Sequence, residues 1–153
     1  MYFEKIGNKN GLNPLETNPC RLLGFAKLVL EPGEAYEGNT EDQEALIVVL
    51  GGKADISAGG VDFAAVGGRP NVFAGKPHSI YLPPNCTFKV AVPADGGRFE
   101  AAIPMAKAED NLRPFLITPD KVETGKWGIS NFSRNYHQIL VKGQHPGQQV
   151  SKL

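Results

Sequence analysis

The sequence is poor in the residue types that by themselves announce a function. Only 2 cysteines occur, Cys20 and Cys86, far apart and without CxxC spacing, so neither a disulfide framework nor a cysteine zinc site is indicated. No sign of charge prevails: 16 Lys and Arg balance 16 Asp and Glu, with no basic block. Nucleic acid and acidic membrane surfaces are therefore not expected partners. The longest apolar run, Ala45 to Leu50, is far too short to cross a bilayer. The opening "MYFEKIGNKN" lacks the charged-then-apolar order of a secretory signal. Together these absences lead us to expect a cytoplasmic protein with reduced thiols. The 3 histidines, His78, His137 and His145, stand apart, and no local Ser/His/Asp or Cys/His signature accompanies them. The glycines of "GGKADISAGG" lack the strand-loop-helix context and GK[ST] of a phosphate loop. The tail Ser151-Lys152-Leu153 reads either as a peroxisomal address at an exposed terminus or as the start of a further strand.

What is present is punctuation. Gly 18 and Pro 12 break 153 residues into runs rich in Val, Ile, Leu and Phe that are too short for typical helices. Expected strands are Arg21 to Leu30, Ala45 to Gly51, Lys53 to Ser57, Val61 to Ala65, Asn71 to Phe73, Ser79 to Leu82, Thr87 to Val92 and Phe99 to Ile103. In "KLVLEPGEAYEG" the Pro32-Gly33 turn separates a strand from a short second one. In "DISAGGVDF" the Gly59-Gly60 pair is a two-residue hairpin signal, because glycine supplies the positive φ that primed turns require. The length suits about one domain. The fold class is all-β, an antiparallel barrel or sandwich, with an open antiparallel sheet carrying helices as the alternative. From Ala106 the chain turns more polar, with an aromatic group of Trp127, Phe132 and Tyr136. We expect a barrel over residues 1–105 and, over 106–153, an extended, partly helical arm that packs on it and leads elsewhere.

The strand order and its turns resemble the cupin superfamily, whose barrel is a jelly roll. Its first motif runs Gly, five residues, His-x-His, three or four residues, Glu, six residues, Gly. Here Gly33, Glu44 and Gly51 fit, the histidine places read Asn39 and Glu41, and the Glu41 to Glu44 spacing is one residue short. The second motif, Pro-x-Gly-x-x-His, reads "PPNCTF": Asn85 replaces glycine, and Phe88 stands at the ligand histidine. Asn tolerates left-handed angles, so the turn survives. A divalent transition ion wants three or four converging N or O donors. An amide, two carboxylates and a phenyl ring are a poor set, so no metal is expected in this barrel. The remaining histidines are expected in structural or surface roles.

Three stretches are similar to the amino-terminal half of the 5-deoxy-glucuronate isomerase family of inositol catabolism, related to 4-deoxy-5-ketouronate isomerases. They are "EALIVVLGGKADISAGG", "RPNVFAGKPHSIYLPPNC" and "SNFSRNYHQIL". The resemblance implies a two-cupin homo-oligomer in which this barrel is metal-free and a second one carries a divalent metal on a His-rich site. That second sequence is not in this chain, so no catalytic or metal residue carries over, and catalysis by this chain alone is not expected. A different reading is a metal-free cupin module that binds a small sugar acid. Its candidate residues are Glu44, Tyr36, Tyr81, Arg69 and His78, with Arg69 able to pair a carboxylate through two parallel hydrogen bonds. A third, metal-free isomerisation, would need Glu44 buried as a base.

Overall fold

The computed structural model describes residues 3–109 and 112–141. Its strands are β1 (Gly11–Pro14), β2 (Leu23–Leu30), β3 (Ala35–Asn39), β4 (Gln43–Gly51), β5 (Lys53–Ala58), β6 (Val61–Gly67), β7 (Ser79–Leu82), β8 (Thr87–Ala91), β9 (Phe99–Lys107), β10 (Phe115–Ile117), β11 (Glu123–Trp127) and β12 (Arg134–Gln138). A six-stranded sheet in the order β1-β2-β9-β4-β7-β10 faces a four-stranded sheet in the order β3-β8-β5-β6, and β11 with β12 forms a separate ribbon. Every neighbouring pair is antiparallel.

Alternation decides which side chains enter the core. On β8, Phe88 and Val90 are buried while Thr87 and Lys89 are exposed. On β4, Ala45, Ile47 and Val49 point between the sheets, where they meet Leu28, Ile56, Ile80, Leu82, Phe99 and Ile103. The alternate residues of β4 are not in water either. Leu46 and Val48 join Tyr81, Ile117 and Val122 in a second apolar cluster, which Leu112, Phe115, Ile139 and Leu140 help to complete. The segment after β9 therefore roofs the outer face of the six-stranded sheet over β4 and β7. Burial on both faces is why "EALIVVL" reads as a continuous run rather than an alternating one.

The hairpin at Gly59-Gly60 forms as expected, with φ of 53° and 81°. Two expectations are corrected. Asn71 to Phe73 is a turn: the Asn71 side-chain oxygen accepts from the Phe73 N–H at 2.9 Å, and Phe73 is 95% exposed with no strand beside it. Nor does the carboxy-terminal segment form an α-helix among the described residues. Among the described residues it holds two 3₁₀ turns, Pro119–Lys121 and Ser130–Phe132, and otherwise strands and loops, with β10 extending the large sheet along β7. Both cysteines are free, Cys20 exposed and Cys86 buried. Among the described residues no helix is long and apolar enough to cross a membrane. His145 and the terminal Ser151-Lys152-Leu153 lie outside the described residues.

Candidate functional site

The motif positions Asn39 and Phe88 fall where β3 runs antiparallel beside β8. Register pairs Gly38 with Phe88 and Asn39 with Thr87. Asn39 is consequently on the outer side, where its amide donates to Thr87 Oγ1 at 3.0 Å and its carbonyl oxygen accepts from the Glu41 N–H at 2.8 Å. Glu41 is exposed in the β3–β4 turn with φ of 50°, and its backbone carbonyl accepts from the Asn85 N–H at 2.7 Å. Asn85 itself has φ of 56°, the left-handed geometry its side chain tolerates. These three residues build turns. None of them faces the barrel interior.

The interior positions are one residue away. Tyr36 packs against the core and Phe88 lies within it, their ring centroids 6.1 Å apart. A Cβ built on Gly38 would lie only 2.8 Å from Phe88 Cζ, so the absence of a side chain there makes room for the phenyl ring. Thr40 is buried next to them, donating to the Pro83 carbonyl at 2.7 Å and accepting from the Cys86 N–H at 2.8 Å. It ties the β3–β4 turn to the Pro-Pro turn. In the same core cluster as Phe88 are Ile47, Leu82 and Val90, all fully buried hydrocarbon. A divalent transition ion needs three or four converging N or O donors; here the Thr40 hydroxyl is engaged by backbone, and the Tyr36 phenol and Cys86 thiol do not make up such a set, so the metal associated with cupin barrels does not fit this one. Among the described residues no group of three or more His, Cys, Asp or Glu side chains could hold a metal ion.

Glu44 is buried, but its place on β4 has the parity of Leu46 and Val48, so its carboxylate lies on the outer face of the sheet. There Tyr81 donates its hydroxyl to Glu44 Oε2 at 2.8 Å, and the Tyr81 ring stacks on Phe115 with centroids 5.0 Å apart. Both residues are 0% exposed. The structure therefore brings two of the five candidate residues together under the carboxy-terminal segment, not at the barrel mouth. The other three have different surroundings. Tyr36 belongs to the opposite sheet. Arg69 donates from Nε and Nη2 to the Val49 carbonyl at 3.0 and 2.6 Å and from Nη1 to the Gly75 carbonyl at 2.8 Å, pinning the β6–β7 connection to β4. His78 is half-buried ahead of β7; burial pushes its imidazole down from the ordinary value, and Asp120 acts in the opposite sense.

A groove of about 520 Å³ away from these five residues is lined by Lys76, Thr124, Lys126, Asn135, Tyr136 and His137. Its two strands, "ETGKW" and "RNYHQ", are polar and largely exposed, and by composition alone resemble a solvated loop.

Known proteins resemble this chain along most of its length. The KduI/IolB family model matches residues 11–152. A 5-deoxy-glucuronate isomerase of Geobacillus kaustophilus is 34% identical over 123 residues, 80% of this chain and 44% of that protein. One of Geobacillus thermodenitrificans is 33% identical over 139 residues, 90% of this chain and 49% of that protein. The chain thus spans about half the length of the curated relatives it matches. Among solved structures, an IolB-like protein from Salmonella typhimurium superimposes with a TM-score of 0.77 at 26% identity, over 88% of this chain and 52% of that one. A cupin protein from Bacteroides fragilis shares the fold at a TM-score of 0.53 and 13% identity, over 73% of this chain and 88% of that one. By the match of the family model to residues 11–152, this chain is a member of the KduI/IolB family.

Proposed function

We propose that this chain is the non-catalytic half of a 5-deoxy-glucuronate isomerase-type enzyme, a filled cupin barrel that packs on a catalytic barrel and helps build the oligomer. The observation that supports the reading is the largely hydrocarbon interior beside the β3–β8 pair, in a chain that spans about half the length of its isomerase relatives. Interconverting an aldose and a ketose moves a proton between adjacent carbons. It requires a base near neutral pKa and a group that stabilises the enediolate. Among the described residues Glu44 is the buried carboxylate, and it faces away from the interior and is bonded to Tyr81. Among its described residues the barrel interior thus offers a wall and no carboxylate or imidazole base.

The test is turnover. Purified chain is incubated with 5-deoxy-glucuronate, with and without added manganese or zinc, and ketose formation is followed by NMR beside a full-length Geobacillus relative. The expected result is product from the relative and none from a folded preparation of this chain. Isomerisation by the chain alone at a rate near that of the relative would overturn the reading.

A further inference from the structure

The β11–β12 ribbon has two chemically different faces. Its register pairs Thr124 with His137, Gly125 with Tyr136, Lys126 with Asn135 and Trp127 with Arg134. Directly paired residues share a face and successive ones alternate. Thr124, Lys126, Asn135 and His137 therefore form one polar rectangle, and Trp127, Tyr136 and Arg134 belong to the reverse. The reverse is packed within itself: the Trp127 and Tyr136 rings lie 4.5 Å apart, and Gly125 leaves room for the Tyr136 phenol, which any side chain there would strike. That packing braces one face of a short ribbon and leaves the polar rectangle on the other.

The rectangle borders the groove of about 520 Å³, whose lining also includes Lys76. No carboxylate lines it. Lys76 is already engaged, donating to the Val122 carbonyl at 2.7 Å and interacting with Asp120. Glu123 has the parity of the reverse face. Among the described residues the side chains of Thr124, Lys126, Asn135 and His137 make no hydrogen bond or ion pair, so the charge left uncompensated at the groove is that of Lys126. One ammonium beside a hydroxyl, an amide and an imidazole suits a ligand with one negative charge and several hydroxyls. A phosphate would be served by an arginine fork or a nest of free backbone N–H groups. Here the backbone amides belong to the ribbon ladder, and Arg134 points the other way. The volume is in the range of small-molecule sites.

We propose that this groove binds a small hydroxylated carboxylate, a sugar acid of the uronate class, with Lys126 pairing the carboxylate and Thr124, Asn135 and His137 bonding its hydroxyls. The choice of a uronate rests on the isomerase reading above; the groove itself does not.

The full chain contains a single tryptophan, Trp127, at the end of this ribbon and on its reverse face, so its fluorescence reports on changes in the ribbon that carries the groove. Titration with D-glucuronate is expected to change that emission with a dissociation constant on the order of 1 mM. The amide resonances of β11 and β12 should shift with it. D-glucose, the same size without the charge, is expected to give no saturable change. Lys126→Gln, an exposed substitution whose fold is checked by circular dichroism, is expected to weaken glucuronate about tenfold. Asn135→Ala is expected to weaken it less. Lys89→Gln, on the four-stranded sheet, should leave it unchanged. The proposal is overturned by no response to glucuronate, by undiminished binding to Lys126→Gln, or by inorganic phosphate binding as tightly as glucuronate. The two readings fail separately: a chain that is inactive alone and blind to glucuronate refutes the groove, and one that binds through Lys126 but also isomerises alone refutes the structural-half assignment.

Discussion

Replacing Gly38 by alanine tests the account of the barrel interior. The new methyl would lie 2.8 Å from Phe88 Cζ, 3.0 Å from Phe88 Cε1 and 3.1 Å from Tyr36 Cε1. Carbon atoms prefer about 3.5–4.0 Å, so the rings must yield by roughly 0.7 Å or more. Overpacking of this kind costs about 1–3 kcal/mol. Against it, alanine restricts the unfolded chain and returns about 0.4–1 kcal/mol. The net expectation is a loss of about 1 kcal/mol, which for this size lowers Tm by about 2–4 °C. Phe88→Leu removes the ring atoms responsible and by itself should cost about 1 kcal/mol. In that background Gly38→Ala should become neutral or stabilise by about 0.5 kcal/mol. The cycle therefore predicts a coupling of about 1–2 kcal/mol with a reversal of sign. Urea unfolding of the four proteins, followed by circular dichroism, measures it. If Gly38→Ala costs the same with and without the phenyl ring, the ring does not occupy the space assigned to it.

Phe88→His, which restores the imidazole typical of metal-bearing barrels, should bind no zinc above background by equilibrium dialysis, because Gly38, Ile47, Leu82 and Val90 around it add no donor. Tyr81→Phe removes the 2.8 Å bond to a fully buried carboxylate and should cost about 2 kcal/mol in urea unfolding; a loss below about 0.5 kcal/mol would contradict the assigned contact. Burial favours the neutral His78 ring in the native state, so its contribution is complete above the ordinary value of 6.5 and falls as pH drops below it. His78→Gln should flatten the decline in urea midpoint between about pH 7.5 and about pH 5.5, and an equally steep decline in the variant would refute the assignment. Native protein should titrate as one reactive thiol, Cys20, and unfolded protein as two, since Cys86 is enclosed and burial pushes its thiol up. Two reactive thiols in the native state would show that the Pro-Pro turn opens.

The strands were legible wherever alternation was backed by turn chemistry. Gly59-Gly60 marked the β5–β6 hairpin, and Ser79 to Leu82 matched β7 residue for residue. Asn71 to Phe73 failed because a short apolar run says nothing of a partner strand, and an asparagine bonding two residues ahead outcompetes the sheet. β1, β11 and β12 are edge or ribbon strands of mixed polarity, held by neighbours that no local pattern displays. Site residues were harder. Motif spacing aligned Asn39, Glu41 and Glu44 with the ligand places of the motif, but a strand has a period of two, and a shift of one residue carries a side chain to the other face. Phe88 escaped this error because its own strand alternates clearly between exposed and buried residues.

The Glu44–Tyr81 contact has a consequence for how the protein is made. A nascent chain that has emerged only as far as β9 exposes an oily flank along β4 and β7, with an acid seated in it, and cannot finish its own wall. Translation must deliver Phe115, Ile117 and Val122 before that flank is sealed, so a product cut short after β9 is expected to clump instead of settling as a smaller barrel.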